Sequence, residues 1–230
     1  MSLTAREKSG IETEPISAGV YVATCYGLVD LGTHHNPVFK KDEHKVLLQW
    51  ELPDVRGDFE RDGQRVNLPR AISKRYTLSL SEKTNLKRDL ESWRGRKFTP
   101  AESAGFDLKA VLGSSCQLQI VHEVSKEGQT YATIAAIMAL PKGIARPKSS
   151  ENPPVYFSFE EAGPKPTLPA AMPEWVQKII MQSREWREAT APAPVPAPAP
   201  SPAAQCQPPA TGPAQPQPEG VDVADDDVPF

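Results

Sequence analysis

The chain ends in Asp225-Asp226-Asp227-Val228-Pro229-Phe230, six residues whose chemistry is directed outward. A terminal Phe presents an apolar ring and a free carboxylate on one residue. Pro229 restricts the backbone before it and holds that ring away from the chain. The three Asp side chains add long-range attraction to a basic surface, which helps encounter and register more than raw affinity. Such a group fits an apolar pocket with a cation at its mouth on another protein. A second set of residues able to make contacts is spread through the first two thirds of the chain: Phe39, Lys40, Lys41, Trp50, Arg70, Lys74, Arg75, Tyr76 and Tyr131.

The elements that must carry these residues fall into distinct stretches. Residues 189–224 are nearly all Pro, Ala, Gln and other small residues, a composition that buries too little apolar surface to offset chain entropy. They read as a disordered linker that gives the tip reach. Residues 1–15 read as a flexible start and 16–148 as one domain, large enough for a real core. Residues 149–188 read as an extension in which 173–188 forms a short helix, with Trp175, Ile179 and Trp186 near helical spacing. That helix could dock on the body, pair with another copy or bind a partner; two tryptophans are rarely left exposed.

Within the domain, residues 19–32 are rich in β-branched and aromatic side chains, and Gly27 inside them marks a bend of the kind curved strands need. A polar loop is expected over 33–45, a second strand over 46–52 stopped by Pro53, and a long charged turn over 54–70 around Asp62-Gly63. A third strand over 71–80 places Ile72, Tyr76, Leu78 and Leu80 on one face. Ser81 then caps a helix whose Leu86, Leu90 and Trp93 share a stripe, with Gly95 as its stop and Trp93 as a core residue. Residues 106–112 suggest another helical turn ended by Gly113. A hairpin closes the domain, with strands over 116–125 and 130–140 around Lys126-Glu127-Gly128-Gln129. Three strands, a helix and two strands is the order of the five-stranded OB-fold barrel, with its helix between strands three and four.

The ending closely resembles the acidic tip of bacterial-type single-stranded DNA-binding proteins, a run of Asp followed by a hydrophobe, Pro and Phe. In that family the tip recruits replication, repair and recombination enzymes, so Asp225, Asp226, Asp227, Val228, Pro229 and Phe230 are the expected partner-binding residues. The body lacks the sequence pattern of the cellular proteins' DNA-binding domain. By architecture it resembles bacteriophage-encoded single-stranded DNA-binding proteins. The resemblance implies a protein of the bacterial host's cytoplasm that coats single strands, with single-stranded DNA and those enzymes as partners and no cofactor. A homo-oligomer is compatible with it.

Sequence-tolerant binding of single strands needs aromatic faces for bases and cations for phosphates. On an OB-fold these lie mainly on strands two and three and on the loops joining strands one-two and four-five. That selects Phe39, Lys40 and Lys41 in the first loop, Trp50 on strand two, Arg70, Lys74, Arg75 and Tyr76 on or beside strand three, and Tyr131 at the start of strand five. Trp50 alternates with Val46 and Leu48, which suits a core position as well as a stacking platform. Tyr76 shares that ambiguity, and Lys74 on the same face argues for exposure. The dense run Lys83, Lys87, Arg88, Arg94, Arg96 and Lys97 belongs to the helix expected to cap the barrel away from the groove, and is set aside for DNA.

Charge divides in the same way. Residues 19–148 carry 20 Lys and Arg against 15 Asp and Glu, whereas residues 149–230 carry 4 against 11, so a mildly basic body precedes an acidic tail. Cys25, Cys116 and Cys206 are too scattered for a disulfide framework or a zinc site. His34, His35, His44 and His122 show no ligand spacing, and no Gly-rich phosphate loop or nucleophile motif occurs. No enzyme is expected. No stretch has the length of a membrane span or the form of a leader peptide. Two other functions stay open: an adaptor whose tip mimics the host protein to capture replication machinery, and an annealing protein of recombination.

Overall fold

The computed structural model describes residues 14–61, 63–147 and 149–191. The tip, Cys206 and the linker beyond 191 lie outside them, as do residues 1–13. Strands β1 (Gly19–Asn36), β2 (Lys41–Arg61) and β3 (Gln64–Thr77) precede helix α1 (Asn85–Arg94), the short helix α2 (Pro100–Ala104) and a 3-10 turn at Leu108–Val111. Strands β4 (Ser115–Val124) and β5 (Thr130–Met138) follow, then β6 (Val155–Phe157), α3 (Phe159–Ala162), α4 (Glu174–Met181) and α5 (Arg184–Thr190). The strands form a curled antiparallel half-barrel in the order β3-β2-β1-β4-β5, with β6 added in parallel to β1.

β1 produces the curl. Its residues 19–24 pair with β4, its residues 24–36 pair with β2, and its register shifts twice, between Cys25 and Gly27 and between Asp30 and Gly32. The bend expected at Gly27 is the first of these bulges. Each bulge adds a residue on one side of the ladder and turns the strand inward.

Three expectations for the strands need correction. The polar loop over 33–45 is mostly strand; only residues 37–40 form the turn. Cross-strand polar pairs carry the ladder there, with His35 Nδ1 on Asp42 at 2.9 Å and Asn36 donating to Glu43 at 3.0 Å. Pro53 does not end β2. It falls within the register shift between Leu52 and Arg56, where its missing N–H costs no ladder bond. The charged turn expected over 54–70 is instead a hairpin arm, whose pairs run from Arg56↔Pro69 to Arg61↔Gln64.

Two cores lie on opposite faces of the sheet. On the inner face Val46, Leu48, Trp50 and Leu52 of β2 meet Cys25 and Leu28 of β1, Leu118 and Ile120 of β4, and Leu86, Leu90 and Trp93 of α1. Trp93 is 7% exposed, its ring centroid lies 5.8 Å from that of Trp50, and its indole donates to the Ser115 carbonyl at 3.1 Å. The helical stripe and the stop at Gly95 (φ 68) are as expected, but the N-cap is Thr84 rather than Ser81.

On the outer face Val29, Leu31 and Leu47 are covered by Val155 and Phe157 of β6 and by Met172, Val176 and Ile180. The segment 149–190 is thus built onto the sheet. The helix expected over 173–188 breaks after Met181, and Ser183 caps α5 by accepting from the Trp186 N–H at 3.2 Å. α5 continues through Ala189 and Thr190, which composition places in the linker. Buried Glu51 accepts from the backbone N–H groups of Glu151 and Asn152 and from the Asn152 side chain, all at 2.9 Å. Gly32 (φ 75) lets α5 come close: a Cβ there would lie 2.6 Å from that of Ser183.

Candidate nucleic-acid interface

Alternation along β3 sorts the candidate residues. Lys74 and Tyr76 are opposite Leu48 and Val46 in register and point to the inner face; Arg75, opposite Leu47, points outward. The Tyr76 hydroxyl donates to buried Asp89 of α1 at 3.0 Å, and the Lys74 ammonium donates to the same carboxylate at 2.8 Å and to the Ile134 carbonyl of β5 at 3.2 Å. Burial, with the Asp89 charge and hydrogen bond behind it, pushes the Tyr76 phenol far above its usual range. Tyr76 is 3% exposed and Trp50 is fully buried, so neither can stack on a ligand base. Lys74 is likewise held inside, tying β3 to α1 and β5. These three expectations are corrected: a Lys on a strand face signals exposure only when no buried acid meets it.

The outer residue, Arg75, lines a groove of about 780 Å³. Its other walls are Leu31, His34 and Phe39 of the β1–β2 hairpin, Lys45, Thr77 and an edge of the otherwise buried Tyr76, then Lys83, Thr84 and Asn85 before and at the start of α1, and Ile179 and Gln182 of the α4 region. Among the described residues no acidic side chain lines it. Among the described residues Arg75 and Lys83 have no ion-pair partner, and both are exposed. Lys45 is partly neutralised by Glu43, whose carboxyl the adjacent Lys45, Asn36 and Lys41 hold down to about 2. α1 begins at this groove with neither a side-chain cap nor an acid in its first turn, so its N–H dipoles add to the positive field.

Phe39 is 68% exposed at the hairpin tip. The tip is shaped by Asn36, whose side-chain oxygen accepts from the N–H groups of Val38 at 3.1 Å and Phe39 at 3.4 Å, and by Lys40 in the left-handed region (φ 49). The Lys41 ammonium lies 5.6 Å from the Phe39 ring centroid and 3.2 Å from Glu43, so it holds the tip as much as it offers charge. Arg70 is half-buried where β3 meets the arm and does not line the groove. Tyr131 is exposed on the β4–β5 hairpin with its hydroxyl on Glu123 at 2.9 Å, also apart from it.

The groove therefore gathers Phe39, Arg75 and the buried Tyr76 from the expected set, the first two of them open to solvent, and adds Lys45, Lys83 and His34. Lys83 corrects the dismissal of its basic run: with the cap at Thr84 it precedes the helix and stands on the groove wall. A second depression, of about 520 Å³, is lined by Asp30, Asp107, Glu160 and Glu161, the wrong sign for phosphate. Each histidine has a structural partner: the Leu31 carbonyl for His34, Asp42 for His35, Asp30 for His44 and the Ile16 carbonyl for His122. Cys25 and Cys116 are free thiols in the core, and burial pushes the Cys25 thiol up to about 12. Among the described residues no cluster of His, Cys, Asp or Glu is placed to hold a metal ion, and no helix is long and apolar enough to cross a membrane. No protein-family model matches the chain, and no curated protein matches it significantly in sequence.

Proposed function

We propose that the chain binds single-stranded DNA in the groove of Arg75, Lys83 and Phe39, and recruits replication, repair or recombination enzymes through Asp225–Phe230. The observation that carries the reading is a groove that, among the described residues, is lined by no acid and carries two cations without an ion-pair partner and an exposed ring at its rim. Phosphates meet Arg75 and Lys83, with Lys45 contributing a charge shared with Glu43. A base lies on Phe39. Stacking on Phe39 and charge contacts to phosphates are indifferent to base identity, so binding is sequence-tolerant and weakens with salt through counterion release. The half-barrel is read as an OB-fold, supported by the strand order, by α1 between β3 and β4, and by Lys74 bridging β3 to β5. A bacteriophage-encoded protein acting in the host cytoplasm is the setting that the body's architecture and the tip together imply.

A fluorescein-labelled oligo-dT measured by anisotropy, with duplex DNA as competitor, tests the site. Strong preference for the single strand is expected; equal affinity for duplex at moderate salt would remove the reading and leave the protein-binding adaptor. Faster pairing of complementary strands on addition of the protein would identify the annealing function instead. Removal of Val228–Phe230 should abolish capture of the partner enzyme in a pull-down while oligo-dT binding survives, because the Phe230 ring is the apolar anchor for the partner's pocket.

A further inference from the structure

We propose that Trp175 is a second base-stacking platform and that a strand in the groove continues along α4, onto the segment that follows the half-barrel. The inference rests on the single-strand reading of the groove and adds a residue and a direction to it. α4 buries Val176 and Ile180 against β1 and β2, and Ser183 continues that face beyond the helix. Trp175, Ile179 and Gln182 follow at i, i+4 and i+7 on the neighbouring flank. Ile179 and Gln182 are groove wall. Trp175 therefore stands one helical turn further along the same wall, and it is 44% exposed.

An indole left open to water on a helix whose other face is well packed loses apolar burial that the fold could have used. Its placement beside a basic, acid-free groove supplies the use: every base has a π-face, and an aromatic ring accepts it regardless of sequence. Glu174, the acid next to it, has the Lys178 ammonium 3.8 Å away, which lessens repulsion of a phosphate at this end. With Phe39 at the hairpin rim, Ile179 on the wall and Trp175 beyond it, the groove has a ring on each side of its apolar stretch. Trp50 and Trp93 are buried and Trp186 packs into the outer core, so Trp175 is the indole placed to report a bound base.

The test uses the full chain and fluorescein-labelled oligo-dT. Trp175→Ala should weaken binding about tenfold with little change in melting temperature. Trp175→Phe should keep most of the affinity and lose most of the tryptophan quenching that the wild type shows with unlabelled oligo-dT. Wild-type affinity in Trp175→Ala, or undiminished quenching in Trp175→Phe, would overturn the role of Trp175 while leaving the groove intact. No oligo-dT binding by the wild type would overturn both. Should the alanine variant prove unstable, the phenylalanine variant decides by itself, since it removes only the reporter ring.

Discussion

On the inner face of the β2–β3 ribbon Lys74 and Tyr76 both end on Asp89; on the outer face Arg75, between them, ends in solvent. Both faces carry cations and aromatic rings. The inner face meets Lys74 and the Tyr76 hydroxyl with partners fixed by the fold, so these residues contribute stability. Among the described residues the outer groove offers Arg75 and Lys83 no acid, and it leaves Phe39 largely open to solvent. The difference lies in what faces a residue, and neighbouring positions on one strand can differ completely.

Substitutions should separate the faces, and the largest effect belongs to the inner one. Trp93→Ala removes the ring against Trp50 and should cost about 3–5 kcal/mol in denaturant unfolding, with oligo-dT affinity unchanged under conditions where the variant is folded. Asp89→Ala strands Lys74 and the Tyr76 hydroxyl, for a loss of about 3 kcal/mol. An unchanged midpoint in either variant would show that α1 does not close the inner core.

Gly32→Ala tests the outer core. The left-handed backbone and the close approach to Ser183 should cost roughly 2 kcal/mol. Because the α4 region forms one wall of the groove, this variant should also weaken oligo-dT binding, unlike Asp89→Ala. Equal oligo affinity in the two would mean that α4 is not part of the binding wall.

A smaller effect is expected from pH. His44 donates to Asp30 at 2.6 Å, and that bond raises its pKa above the ordinary value against an opposing effect of burial. A raised pKa in the folded state means stability present in full below about pH 6.5 and lost as pH climbs through the folded value. The melting temperature should therefore drift down from pH 6 through the neutral range, and His44→Gln should flatten that drift. The same slope in both proteins would place the titration elsewhere.

Much of the inner core was legible because it follows simple periods. Leu86, Leu90 and Trp93 mark one helical face, and alternation marks the strands around Leu48, Leu118 and Ile134. The arm over 56–70 was not, since its alternation is faint: Phe59 and Val66 face each other, as do the polar pairs Asp58–Asn67 and Glu60–Arg65. The turn signal of Asp62-Gly63 is visible in the sequence without the strands that flank it. Strand β6 is three residues long and owes its pairing to the outer core, which no local pattern announces. Of the site, Phe39 and Arg75 were readable as a loop aromatic and a strand cation. Lys74 and Tyr76 read as exposed in the sequence because the acid that meets them lies 15 and 13 residues away, respectively, on a helix. Lys83 reads as part of the capping helix because Ser81 offers a cap signal three residues before the actual N-cap, Thr84.

The most direct measurement is oligo-dT anisotropy across a salt series for the wild type and for Arg75→Ala/Lys83→Ala, with melting curves alongside. The account expects an unchanged melting temperature, an affinity lower by about tenfold or more, and a shallower dependence of log affinity on log salt, by roughly one unit for each phosphate contact removed. Wild-type affinity and an unchanged salt slope in the double variant would contradict the claim that the outer groove is where the strand lies.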